Sequence, residues 1–264
     1  MTFDAKFSSE LPQLPPNHVS SQRLAPYMTE TSGDRDKAIK LYDWDRDLSA
    51  AFFRDISILE VALRNSIDRA LCKKYGELWY QSSAILFDSR TFKQISKAWC
   101  SLPAEHQSYD AKNRKVRGRL VAACTFGVWV NILDKGGKTD LRGPCAKADH
   151  DRVWDRGTLL EAFPGAGQIS GREDGMELDR KWVHQQVRKV HLLRNRVAHH
   201  ESLINGVPIT GEQNGKNGKT SRMSIDECRK YTNRLAAMMD RNLYNYLINR
   251  SNVLKIIKFK PEFN

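Results

Sequence analysis

The sequence predicts an all-α protein, a helical bundle built around one long N-terminal helix, and three observations predict it. Apolar residues recur at steps of three or four without interruption from Leu41 to Leu71. The strand–helix alternation of an α/β protein is absent, and no internal repeat is detectable. Across 264 residues, 40% hydrophobic content with 28% charged residues supports a sizeable core in one large or two small domains.

Residues 1–33 carry Pro12, Pro15, Pro16 and Pro26 among Ser, Thr and Gln, and read as an N-terminal arm rather than a core element. The helical domain, 34–264, then opens at Asp34, an N-cap after Gly33. Its first helix carries the stripe Leu41, Trp44, Leu48, Phe52, Ile56, Leu59, Leu63, Ile67, Leu71 and stops before Gly76. Shorter helical patterns follow at 88–100, 116–134 and 151–163, the last ending at Pro164. Two Gly-rich loops, 135–150 and 164–175, separate them. The next strong helix runs from about Leu178 to His199, with Val183, Val187, Val190 and Val197 on one side. After it, Ile204–Ile209 has the makings of a small hairpin within a polar, Gly-rich stretch at 205–220. Ser224-Ile-Asp-Glu227 is a capping box that opens the last long helix, with a stripe reaching Tyr246.

The charge is uneven. Residues 1–110 hold 14 Lys and Arg against 15 Asp and Glu, a net of −1, whereas 111–264 hold 29 against 16, a net of +13. The overall +12 therefore belongs to the C-terminal part, which points to a polyanion, nucleic acid first, or else to a basic solubilising surface. The densest cluster, Lys112, Arg114, Lys115, Arg117 and Arg119, reads either as an RNA-binding phosphate contact or as a solvated face. Five cysteines without close pairs offer no zinc spacing, and no metal or cofactor is expected. Reduced, mostly buried thiols, the lack of a secretory pattern and the lack of a membrane-length apolar run together predict a cytoplasmic protein without a membrane partner. Gly215-Lys-Asn-Gly-Lys-Thr220 imitates a phosphate-binding loop, but Gln213 stands where its first glycine belongs and no buried strand precedes it.

The segment with most chemistry is Val190-His-Leu-Leu-Arg-Asn-Arg-Val-Ala-His-His-Glu201. On a helix, His191, Asn195 and His199 share a face, flanked by Arg194. Imidazole exchanges protons near neutrality, and guanidinium grips two phosphate oxygens at once. That pairing suits phosphodiester cleavage without metal: one group moves the protons of the 2′-hydroxyl and the 5′-oxygen, and the other steadies the charged phosphorus. The competing reading is a buried polar network that ties helices together. His191 reads as a packing or supporting residue. His200 is a neighbour of the acid–base group, and Glu201 either orients it or closes the helix. Arg196 joins the RNA-binding set. The tryptophans 129, 154 and 182 are core fillers rather than base-stacking residues.

Arg194, Asn195 and His199 resemble the signature of the HEPN superfamily, an Arg and a His separated by four to six residues. Only His199 and His200, among seven histidines, have such an Arg upstream. The longer segment Leu193-Arg-Asn-Arg-Val-Ala-His-His-Glu201 is similar to the Abi-like proteins, a bacterial group linked to abortive infection. Leu59-Glu-Val-Ala-Leu-Arg-Asn65 and Thr125-Phe-Gly-Val-Trp-Val130 resemble further segments of that family, and the likeness covers roughly residues 20–250. The resemblance implies a HEPN-like bundle that dimerises with two motif helices face to face. It also implies a metal-independent endoribonuclease of a phage-defence or toxin type, whose composite site uses Arg194, Asn195 and His199, with an antitoxin or regulatory protein as a further partner. Glu60 and Arg64 either orient Arg194 or Asn195 or form an ion pair on the helix surface. A noncatalytic RNA-binding or partner-binding module, antitoxin-like, is the alternative function.

Overall fold

A computed structural model describes residues 18–107, 114–214 and 219–263. Its axis is α2 (Arg35–Tyr75), capped by Asp34, whose carboxylate accepts from the amides of Asp36 and Lys37. The helix stops at Gly76, whose φ of 87° only glycine adopts without strain. Leu48, Phe52, Leu59, Leu63, Ile67 and Leu71 of the stripe are wholly buried, each worth about 1.5–3 kcal/mol in area removed from water. The other elements wrap this column: α3 (Ser89–Cys100), α4 (Arg114–Ala123), α5 (Phe126–Leu133), α6 (Arg156–Ala162), α7 (Ala166–Arg172) and α8 (Arg180–Ala198). After them come the hairpin β1 (Val207–Asn214) and β2 (Lys219–Met223), then α9 (Ile225–Met239), α10 (Arg241–Arg250) and α11 (Val253–Lys258). Among the described residues the protein is thus all-α but for one two-stranded antiparallel sheet. Trp129, Trp154 and Trp182 are buried, and the indole N–H groups of the last two donate to Ile132 O and Asp174 Oδ2.

The differences from expectation have physical causes. The described part of the N-terminal segment is not an arm: α1 (Ser21–Glu30) is capped by Ser20 and buries Leu24 and Tyr27 against the core. Pro26 sits inside that helix, tolerated because burial outweighs the lost backbone bond. The 116–134 pattern is two helices bent by 94°, because Thr125 is extended and starts a new helix. Only the second half of the 151–163 pattern is α-helical, capped by Asp155. The 164–175 loop contains α7. The last long helix breaks at Asp240, an extended residue whose carboxylate accepts from the amides of Asn242 and Leu243 and so opens α10; Tyr246 lies exposed beyond the break. The capping box of Ser224 and Glu227 is fully formed. The hairpin is wider than Ile204–Ile209, pairing Val207 with Met223 across the polar stretch, of which 215–218 lie outside the described residues. All five thiols are free, but only Cys124 and Cys228 are buried, and burial pushes both up to about 12.

Among the described residues no single helix is long and apolar enough to cross a membrane. One tight crossing fixes the C-terminal helices: the Gly165 amide donates to Met238 O, and a Cβ at Gly165 would stand 2.2 Å from Ala237 O. Gly165→Ala is expected to cost about 2 kcal/mol, read as a lower urea midpoint with an unchanged slope.

Candidate functional site at the end of helix α8

Asp179 starts α8 by accepting from the Trp182 amide, and Val183, Val187, Val190, Leu193 and Val197 press one face into the core. The opposite side climbs out of the core toward the C-terminus: His191 and Asn195 are half-buried, and His199 and His200 are exposed. The His199 amide still donates to Asn195 O at 3.0 Å, so the spacing of four that aligns His191, Asn195 and His199 persists to the last turn. His200 ends the helix with φ 54°, a left-handed conformation where glycine is usual and where another residue costs about 1 kcal/mol. Its carbonyl is covered from α1 by Arg23 Nη1 at 2.5 Å.

Arg194 leans on α2. Its Nε lies 3.5 Å from Glu60 Oε2, and the side chain, 30% exposed, lines a cleft of about 1000 Å³ between α1, α2 and the end of α8. Glu60 therefore reaches across helices instead of pairing along its own. Arg64 does not join it; its Nη1 donates to Ala122 O at the end of α4, at 3.4 Å. His191 stacks on Phe126 with ring centroids 5.3 Å apart and 16° between planes, so the Phe-Gly-Val-Trp segment supports the motif helix.

Two residues assigned to RNA contact have partners within the fold. Arg196 Nη1 holds Glu201 Oε2 at 2.9 Å while its Nε donates to Ser202 O, so this pair closes the helix end and Glu201 orients no histidine here. Arg117 pairs with Asp68 at 3.3 Å and with Glu77, bracing α4 on the end of α2. Lys115 and Arg119 are exposed on α4, one turn and more before the carbonyl that holds Arg64. Lys112 and the side chain of Arg114 lie outside the described residues.

Sequence reasoning missed what holds the loop after the motif. Asp45 of α2 is 3% exposed, accepting from Tyr27 Oη at 2.6 Å and from the Leu203 amide at 3.1 and 3.2 Å. One carboxylate thus ties α1, α2 and the chain just beyond Glu201 together. The signal was present: a charged residue directly after Trp44, four beyond Leu41, on the edge of an otherwise apolar stripe. Arg23 and Arg46 of the cleft were missed as well, because nothing in the N-terminal segment announced a helix that folds back on α8.

Burial, reinforced by Arg194 and Arg188, pushes His191 down to about 4, so its ring is neutral at pH 7. Burial also pushes His184 down to about 4, although Asp134 opposes it. Folded pKa values below the unfolded ones mean that the unfolded chain binds protons first, so this stability is present above pH 6.5 and lost as pH falls toward 4. Burial raises the carboxyls of Asp45 and Asp55, which act in the opposite sense. The measure is therefore a comparison: between pH 7 and 4.5, His191→Gln should lose about 1–2 kcal/mol less unfolding free energy than wild type, after discounting for solvent screening. Parallel curves for the two proteins would contradict it.

Among the described residues no group of three His, Cys, Asp or Glu side chains is placed to hold a metal ion. A family profile described as Abi-like protein matches residues 18–205. No curated protein and no solved structure matches the chain.

Proposed function

The chain belongs to the Abi-like protein family, and from that premise we propose that it is a metal-independent endoribonuclease of HEPN type, acting in phage defence or as a toxin. One arrangement carries the reading: Glu60 holds Arg194 at the cleft wall, while His199, five residues further and outside the cleft's lining, stands exposed at the helix end. The end of α8 is the negative pole of the helix, so nothing in its backbone attracts a phosphate there, and side-chain cations must do so. Arg194 meets that need with a planar fork suited to two phosphate oxygens.

In the reaction, one imidazole takes the proton of the ribose 2′-hydroxyl and the 2′-oxygen bonds to phosphorus. The bond from phosphorus to the 5′-oxygen breaks, and a second imidazole returns a proton to the leaving oxygen. Arg194 offsets the charge on the pentavalent phosphorus. His191, neutral and stacked on Phe126, supports the helix and does not serve as the acid. A single chain supplies one Arg194–His199 set, so two copies facing across a two-fold axis complete the site, one His199 as base and the other as acid. End-group analysis of RNA incubated with the protein in EDTA tests this: 2′,3′-cyclic phosphate and 5′-hydroxyl ends are expected from wild type, and intact RNA from His199→Ala. RNA bound but intact with both proteins would mark a noncatalytic module instead.

A further inference from the structure

Resting on that reading, we propose that the cleft between α1, α2 and the end of α8 is a subsite for single-stranded RNA beside the scissile bond. It holds the strand's phosphates on arginines and one unpaired base on an aromatic ring.

The cleft's own carboxylates are already engaged. Asp45 is taken by Tyr27 and Leu203, and Glu201 by Arg196. What it presents to a ligand is cationic: Arg23, Arg46 and Arg194 line it, the first two exposed and Arg194 partly so. Arg23 already covers one helix-end carbonyl that would repel a phosphate, that of His200. Its volume of about 1000 Å³ admits more than a lone phosphate ion, so a phosphate has room to arrive with its sugar and base.

The face of α2 that floors the cleft reads Arg46, Ser49, Ala50, Phe53. Those positions, spaced three, four and seven apart, share one side of the helix. Arg46 and Phe53 stand about 10 Å apart along the axis, with only the small Ser49 and Ala50 between them. The result is a shallow trough with a cation at one end and a ring at the other. Phe53 is 51% exposed, an unusual position for phenylalanine on a helix whose other face is the centre of the core. Tyr42 lies one turn before Arg46, with the guanidinium carbon 5.9 Å from its ring centroid, which leans the arginine toward the trough's near wall. Cations alternating with an exposed ring are what a nucleic-acid strand with unpaired bases requires. A duplex keeps its ring faces stacked inside and offers Phe53 nothing, so the geometry selects single strands.

The test uses the full chain carrying His199→Ala, which keeps RNA intact, and follows the fluorescence anisotropy of an end-labelled unstructured oligoribonucleotide across a salt series, beside the same oligonucleotide annealed to its complement. Arg46→Ala should weaken single-strand binding about 10-fold and reduce the slope of log affinity against log salt by about one, because one phosphate contact is lost. Phe53→Ala should weaken it about 10-fold with the slope unchanged, because stacking releases no counterion. Lys181→Ala, exposed in the first turn of α8 and about 25 Å along its axis from the end that borders the cleft, should change neither. The proposal is overturned if both cleft variants bind the single strand like their parent, if the duplex binds as tightly, or if no RNA binds. The nuclease reading fails separately: wild-type protein that leaves RNA uncut, while Arg46 and Phe53 still govern binding, would remove the catalysis and keep the subsite. Circular dichroism confirms that each variant is folded, as expected for exposed positions.

Discussion

Replacing His199 with alanine is expected to slow RNA cleavage about 10³-fold while leaving thermal stability at the wild-type value. The imidazole is exposed at the last turn of α8, and its structural duty is met by the backbone, through the amide bond to Asn195 O. Truncating it therefore removes no packing and strands no polar group, so any loss falls on the transition state. In kinetic terms, kcat should fall with little change in KM. Arg194→Ala is expected to be nearly as damaging to cleavage. It breaks the contact with Glu60, but both side chains are partly exposed and water can solvate the carboxylate left behind, so less than about 1 kcal/mol of stability is at stake. Arg194→Lys should recover little, since a point charge cannot offer two parallel donors. Glu60→Gln separates positioning from charge. If Glu60 only aims the guanidinium, the neutral amide should retain most activity, and Glu60→Ala should lower kcat without altering the salt dependence of binding. Equal cleavage rates for wild type and His199→Ala, from preparations of equal purity, would remove the catalytic assignment.

How much of this could be read from the chain alone depended on how local each cause is. The long helix α2 was legible because its steps of three and four leave no other way to bury nine large side chains on one face. The motif on α8 was legible for the same reason, since spacing by four is a property of the helix itself. The breaks were harder. At Thr125 and at Asp240 the apolar stripe continues across the junction, and only one extended residue interrupts it, with its carboxylate as the cap in the case of Asp240. Periodicity measured over a window averages such a residue away. The short helix α1 was invisible for a different reason: Pro26 argues against it locally, and what stabilises it is Leu24 and Tyr27 meeting a surface that exists only once α2 and α8 have packed. The site shows the same division. Arg194, Asn195 and His199 stand in one stretch of sequence, whereas Glu60 lies 134 residues away from Arg194 and the arginines of the cleft are brought in by tertiary contacts. The fate of Arg196 and Arg117 makes the point in reverse. Charge alone assigns both to RNA, and the fold gives both acidic partners that the charge count does not show.

The tertiary part of the site is most vulnerable at Asp45. Asp45→Ala is expected to destabilise the protein by about 3 kcal/mol, a fall of roughly 8 °C in Tm for a chain of this size. The carboxylate accepts the Tyr27 hydroxyl and the Leu203 amide, both buried, so alanine leaves two donors without their acceptor. Asp45→Asn is milder in volume but not in chemistry: one oxygen becomes an amide donor, which opposes either the hydroxyl or the backbone N–H. Tyr27→Phe removes only one donor and should cost less, and the double variant should cost less than the sum, because the two groups are each other's partners. The functional consequence is the sharper test. Asp45 anchors the residues immediately after His199-His200-Glu201 and, through Tyr27, the helix that carries Arg23. Loss of that anchor should loosen α1 before the bundle opens, so amide exchange should accelerate first across residues 20–31 and 200–204 while the centre of α2 stays protected. Catalysis should fall at temperatures where circular dichroism still reports a folded protein. A variant that melts early yet keeps full cleavage up to its melting point would show that the carboxylate serves the fold alone, and that the helix end holds its geometry without it.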